Sequence, residues 1–215
     1  SFSVSPFMVF TDEMLTWPPD PDAWSLRWYK NMIGNCSADV VSSTVPCSNK
    51  WMIGTVNSFF IGFIATFIAT TLGTLAALGL SRPHMPYKGL IMAILISPMI
   101  VPLIITAAGM FFFYARINLV YSFTGIILAH VALATPFVVI TVTATLVGFD
   151  MNMVKASQSL GARPVRTFFK VIMPLILPGV ISGALFAFIT SFDEVVIVMF
   201  MASLDQLTIP KQMWA

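Results

Sequence analysis

Residues 150–178 read DMNMVKASQSLGARPVRTFFKVIMPLILP and form a polar interruption between two long apolar runs. The first part predicts a short polar helix, which Asp150 can cap by accepting a hydrogen bond from a free backbone N–H. Gly161 fits the left-handed position that ends such a helix, and Pro164 fits the first turn of the next helix. Basic residues such as Arg163 keep this junction in water. The stretch therefore predicts a polar helical hairpin that touches a soluble partner.

The composition of the chain places it in a membrane. Of its 215 residues, 58% are hydrophobic and only 9% are charged, and the mean hydropathy is +0.90. A soluble domain cannot bury that much apolar surface, so we expect an all-α polytopic membrane protein. No Lys/Arg-rich run is interleaved with aromatic residues, which argues against nucleic acid as a partner. Because the chain starts at Ser1 without a signal-peptide pattern, we expect its N-terminus to be incomplete.

Long apolar runs predict four spanning helices, because roughly 20 apolar residues cross a bilayer. We expect these spans at about 51–81, 89–115, 123–147 and 171–192. Residues 51–215 would form the transmembrane domain, with a cytoplasmic loop at about 148–170. Small side chains at i, i+4 spacing in the first run form a ridge that permits close helix contact in lipid. The ridge consists of Ala65, Ala69, Gly73 and Ala77.

Two features inside these runs allow more than one interpretation. Pro98 and Pro102 interrupt the second run. They indicate either a bent packing helix or a hinge that lines a cavity. His130 lies in the outer half of the third run. It is either a neutral side chain bonded to a neighbouring helix or an ionisable group on a transport path.

Residues 1–50 precede the first apolar run and hold acids, prolines and aromatic residues. We expect an external segment with a short interfacial helix at about 25–32, because its aromatic side chains prefer the headgroup zone. Cys36 and Cys47 enclose a polar loop. They predict a disulfide in an oxidising compartment, and two free thiols otherwise. No His lies near enough in sequence to suggest a metal site.

The distribution of charge predicts an orientation. If the first span runs inward, six basic residues and one acid lie on the inner side of the membrane, and five basic residues and eight acids lie outside. This asymmetry satisfies the positive-inside rule. It places the hairpin in the cytoplasm and both cysteines outside, where they can oxidise.

The hairpin also carries a resemblance to a known family. Lys155 to Gly183, KASQSLGARPVRTFFKVIMPLILPGVISG, resembles the EAA loop of permease subunits of bacterial binding-protein-dependent ABC importers. The matching positions are Ala156, Gly161, Phe168, Ile172, Pro174 and Pro178. The departures are Lys155 at the acidic position, Ser157 at the second Ala and Met173 at the Leu. The stretches 25–29, 57–82, 191–200 and 207–214 are similar to the spermidine/putrescine subgroup.

This resemblance implies the type I importer permease fold in the bacterial inner membrane, with about six spans in the full subunit, of which four are evident here. It implies that the hairpin is a coupling helix seated in an ATPase. The coupling residues carried over are Lys155, Ala156, Ser157, Leu160, Gly161, Ala162, Arg163 and Phe168. The implied partners are a second, non-identical permease, two ATPase subunits that bind ATP and Mg, and an extracytoplasmic solute-binding protein. The chain has no Gly-rich phosphate loop, so we expect it to bind no ATP of its own. It also shows no nucleophile with a base and no metal-ligand cluster, so we expect no bound cofactor or metal and no catalysed reaction.

The solute path is the least defined part of the sequence. Asp193 and Glu194 lie near the outer boundary, roughly 33 Å along the helix from Val171. They are either solvated acids at a helix end or a site for an incoming cationic amine. Phe112 and Tyr114 lie at a similar level, as an apolar gate or as part of an aromatic belt. The resemblance implies a polyamine such as spermidine or putrescine as the solute. The alternatives are another solute (an aminophosphonate, an opine or iron) and a channel or membrane anchor without an ATPase.

Overall fold

The structure is a computed structural model. It describes residues 50–82, 85–148, 152–203 and 206–214. The predictions for the external segment, including its interfacial helix and the disulfide between Cys36 and Cys47, lie outside the described residues. The same is true of the helix cap assigned to Asp150.

All regular elements of the described residues are helices, which agrees with the predicted all-α class. They are α1 (Lys50–Leu80), α2 (Lys88–Ile100), α3 (Leu103–Arg116), α4 (Phe123–Val147), α5 (Asn152–Ser159), α6 (Pro164–Thr167), α7 (Met173–Asp193), α8 (Val196–Met201) and α9 (Ile209–Met213). A wider π turn, Phe168–Ile172, joins α6 to α7.

Three helices in the described part of the chain are long and apolar enough to cross a membrane: α1, α4 and the continuous helix Pro164–Asp193. The bounds of α4 are those of the predicted third span, and α1 is shifted by one residue from the first. The last span differs from its prediction because its helix begins at Pro164, inside the expected loop. Proline is pre-organised for a first helical turn, which explains why the helix begins at this residue. The second arm of the hairpin and the spanning helix therefore form one continuous helix.

The predicted second span, 89–115, is two helices instead of one. α2 and α3 meet at 103°, because Val101 and Pro102 adopt extended backbone conformations. A proline disfavours the helical region for the residue before it and cannot donate to the helix ladder. Pro98 lies inside α2, where the Ser97 hydroxyl donates to the carbonyl of Ile94 at 2.8 Å, the acceptor that the missing N–H would have used.

The core is a bundle in which α1, α4 and α7 pack against one another. The predicted ridge of small residues on α1 is fully buried. A Cβ on Gly73 would lie 2.7 Å from the Cβ of Val138, so this approach requires glycine. α2 and α3 lie at the edge, where Ala107 is the single buried residue of the two helices.

The segment after α7 is attached to distant parts of the chain by hydrogen bonds. The N–H of Ile209 donates to the hydroxyl of Ser58 on α1 at 2.9 Å. The Gln206 side chain donates to the carbonyl of Tyr121 at 3.0 Å and accepts from the N–H of Ser203 at 3.1 Å. These contacts hold α8 and α9 against the bundle.

Candidate coupling hairpin and solute site

The first arm of the hairpin, α5, ends in a Schellman motif. The N–H groups of Gly161 and Ala162 donate to the carbonyls of Gln158 at 2.9 Å and Ser157 at 3.1 Å. Gly161 has φ +79, as its place in the sequence predicts. A Cβ there would meet open space. The requirement for glycine is therefore conformational and not steric crowding.

The predicted coupling residues lie together on this hairpin. Five are exposed: Lys155, Ala156, Leu160, Gly161 and Arg163. Three are half-buried: Ser157, Ala162 and Phe168. Leu160 is 89% exposed, the largest value for any large hydrophobic residue in the described ranges, and Val165 in the second arm is 68% exposed. Both apolar side chains are therefore available for contact with another molecule.

Ser157 connects the two arms of the hairpin. Its hydroxyl donates to the carbonyl of Val154 at 2.8 Å and lies 3.0 Å from the hydroxyl of Thr167. Because Ser157 has one hydroxyl proton, Thr167 is the donor in the contact between the arms. Thr167 is buried. The departure from alanine at this motif position therefore adds a hydrogen bond that fixes the angle of the hairpin.

The π turn Phe168–Ile172 separates the hairpin from α7. The N–H of Met173 donates to the carbonyl of Phe168, five residues earlier. Pro174 follows immediately, and its missing N–H removes the bond that the carbonyl of Lys170 would accept in an α-helix. π turns are rare and concentrate at functional sites. The regular α-helical hydrogen-bond pattern is therefore interrupted where the hairpin joins the spanning helix.

At the other end of the same helix, the last turn of α7 lines a cavity of about 320 Å³. The other walls come from the first residue of α3 and from the segment between α7 and α8. The apolar lining consists of Leu103, Ile189, Val195 and Val196. The polar lining consists of Thr190, Asp193 and Glu194.

The two adjacent acids have different environments. Glu194 is buried, and its carboxylate accepts a hydrogen bond from the N–H of Ile197 at 3.0 Å, which caps the first turn of α8. Burial raises the pKa of Glu194, and the bond from Ile197 acts in the opposite direction. Asp193 is exposed, and its carboxylate makes no hydrogen bond or ion pair to the described residues. Only Asp193 therefore offers a free carboxylate to a ligand in this cavity.

The structure does not bring the predicted aromatic residues to the acids. Phe112 is 69% exposed and its ring lies 5.7 Å from that of Phe111. Tyr114 is half-buried against the core. Neither side chain lines the cavity. Their role in a solute path stays a prediction.

His130 is bonded to a neighbouring helix, as the first of its two interpretations predicts. Its Nδ1 lies 2.8 Å from the hydroxyl of Ser191 on α7. Both side chains are buried between the helices.

Of the seven residues that line the cavity, sequence reasoning named only Asp193 and Glu194, and on the hairpin it missed Thr167. Thr190 is one helical turn before Glu194, a spacing that could have suggested it. Leu103 follows Pro102, and the proline was the available signal. Thr167 has no signal in the sequence, because its role depends on where α5 folds back.

Comparison with known proteins covers both sites. Residues 69–214 match the family model described as the binding-protein-dependent transport system inner membrane component. The spermidine/putrescine transport system permease protein PotC of Haemophilus influenzae is 29% identical over 192 residues, which are 89% of this chain and 70% of that protein.

Two further relatives come from Escherichia coli. PotC is 31% identical over 153 residues, 71% of this chain and 58% of that protein. The putrescine transport system permease protein PotI is 29% identical over 195 residues, 87% of this chain and 64% of that protein. This chain thus spans less than two thirds of the length of both. Since the family match covers most of the chain, including the hairpin and the cavity, this protein is a member of the family of inner membrane components of binding-protein-dependent transport systems.

Proposed function

We propose that this chain is a permease subunit of an ATP-driven importer and forms part of the path of a polyamine. The observation that carries this proposal is the single helix Pro164–Asp193, which starts at the hairpin and ends at the cavity. At 1.5 Å per residue its 30 residues span about 45 Å. A packed helix of this length carries a displacement of one end to the other.

The hairpin is proposed to dock on an ATPase in the cytoplasm. Its charge favours the inner side of the membrane, and the exposed side chains of Leu160 and Val165 supply apolar contacts. ATP and Mg are bound and used by that partner, and this chain acts only as the transport subunit. Lys155 is exposed, so the ATPase surface opposite this residue must accommodate a cation. An acidic side chain there would supply the complementary charge.

The cavity fits an alkyl ammonium ion. Four apolar side chains can contact methylene groups, and the free carboxylate of Asp193 can pair with one ammonium group. The relatives named above belong to spermidine/putrescine and putrescine transport systems. An anionic solute such as an aminophosphonate would be repelled by Asp193, which favours a polyamine among the candidate solutes.

The remaining partners complete the path. An external binding protein would deliver the solute, a second and non-identical permease would supply the opposite wall, and two ATPase subunits would drive alternating access. The cavity of this chain would form one wall of that path. A diamine bound to Asp193 through one ammonium leaves its second ammonium for a group on the other permease.

Uptake of labelled spermidine and putrescine by the complete transporter in proteoliposomes tests the proposal. Asp193→Asn should lower uptake at least about tenfold, because a charged hydrogen bond is lost. Asp193→Glu should retain more activity than Asp193→Asn, since the charge remains. Glu194→Gln keeps an oxygen that can cap α8 and should lower uptake less than about threefold. Equal loss in both neutral variants would contradict the assignment of Asp193 alone.

A further inference from the structure

The interface between α4 and α7 is lined by small residues on the α7 side. They recur at i, i+4 spacing and all are buried: Gly179, Gly183, Ala187 and Ser191. A Cβ on Gly179 would overlap the side chain of Thr145, and one on Gly183 would lie 3.0 Å from the Cα of Val138. Such a surface of small residues permits close approach of α4 and α7.

One polar contact marks the outer end of this interface. His130–Ser191 is the side-chain hydrogen bond that crosses from α4 to α7 in the described residues, at 2.8 Å. His130 is 2% exposed and Ser191 is 5% exposed. Breaking the bond would leave a buried polar group unpaired, which is costly in an apolar environment. The bond therefore ties the last turn of α7 to α4.

Ser191 is two residues before Asp193. At 3.6 residues per turn, the two side chains point about 200° apart around the helix axis. When Ser191 faces α4, Asp193 faces away from α4 and lies on the wall of the cavity. Thr190, which also lines the cavity, belongs to the same turn.

We infer that His130 is a positioning residue for the solute site: through Ser191 it sets the rotation of the last turn of α7 that presents Asp193 to the cavity. This inference rests on the proposed function for its transport readout. His130 does not touch the solute. Its Nε2 has no hydrogen-bond partner in the described part of the chain, so the Nδ1 contact is the polar interaction that a substitution must preserve or remove.

The first test compares variants that keep or remove the Nδ1 position. His130→Leu and Ser191→Ala should each lower spermidine uptake about fivefold, the size expected for one buried hydrogen bond. His130→Asn places a polar atom near Nδ1 and should restore uptake to within about twofold of the parent protein. Ser81→Ala removes a hydroxyl that bonds only to its own helix and should not change uptake.

The second comparison separates positioning from general damage to the fold. In an Asp193→Asn background, His130→Leu should cause no further loss, because the group that it positions is already neutral. A merely structural role would lower uptake by the same factor in both backgrounds, and that result would overturn the inference. Ser191→Ala is the smaller change and carries the same test if His130→Leu does not fold.

A labelling experiment needs no knowledge of the solute. In the complete transporter, the rate at which a charged thiol reagent modifies Asp193→Cys should change severalfold when His130→Leu is added. Labelling of Leu160→Cys on the hairpin should stay the same. An unchanged rate at position 193 would overturn the positioning role. If the labelling rate at position 193 changes but the transporter does not transport polyamines, the positioning role is supported and the proposed solute is wrong.

Discussion

The two ends of the helix Pro164–Asp193 are built by different kinds of contact. At the hairpin, the side-chain bond between the arms joins Ser157 and Thr167, which are 10 residues apart. Near the cavity, side-chain bonds join residues that are 61, 85 and 151 positions apart. The hairpin end is thus defined by local sequence, and the cavity end is defined by tertiary packing. Substitutions at each end can break or sharpen this contrast.

The largest effect is expected from Gly161→Val at the hairpin. A β-branched residue at φ +79 is strained by about 1–3 kcal/mol, so the corner must rearrange. We expect solute-stimulated ATP hydrolysis by the complete transporter to be abolished, because the hairpin would no longer meet the proposed ATPase in the right orientation.

Two variants control this experiment. Gly161→Asn should keep much of the activity, because Asn tolerates the left-handed conformation. Gly79→Val also adds a side chain where there is open space, but without a positive φ, and should leave ATP hydrolysis unchanged. Full activity of Gly161→Val would contradict the coupling role of the hairpin corner.

A smaller effect is expected from Gln206→Ala near the cavity end. The variant removes two hydrogen bonds made by a buried side chain and should lower the free energy of unfolding by roughly 2 kcal/mol. The thermal midpoint of the purified transporter measures the change. Gln158→Ala makes the same substitution on the exposed surface of α5 and should barely move the midpoint. Equal shifts would show that both ends depend on tertiary contacts.

The smallest effect is expected from Ser157→Ala. It removes one hydrogen bond between the arms, worth about 1 kcal/mol, and installs the residue of the EAA pattern. Stimulated ATP hydrolysis should fall no more than about twofold. The double variant Ser157→Ala with Thr167→Val should match the single variant, because the two hydroxyls act as a pair. A much larger loss in the double variant would mean that Thr167 has another role.

The same contrast explains how far the sequence could be interpreted. The corner at Gly161 and the helix start at Pro164 depend on residues within one turn, so their pattern predicts them correctly. The bounds of α4 follow from an uncharged run with a serine cap, where the Ser122 hydroxyl accepts from the N–H of Gly125.

The second span shows where local reasoning fails. Pro98 and Pro102 look equivalent in the sequence, yet only Pro102 ends a helix. Pro136 and Pro178 also lie inside helices, so a proline alone does not indicate where a helix ends. The roles of Asp193 and Glu194 were also open, because the start of α8 decides which carboxylate becomes a cap.

Because the helix Pro164–Asp193 is continuous from the hairpin to the cavity, the number of residues in it determines the rotation of Asp193 about the helix axis relative to the hairpin. One residue added to α7 would turn Asp193 by about 100° relative to the hairpin and shift it by about 1.5 Å. Two added residues would face it toward α4. The π turn Phe168–Ile172 already holds one residue more than an α-helical turn would. The number of residues between the two ends therefore sets the direction in which Asp193 faces relative to the hairpin.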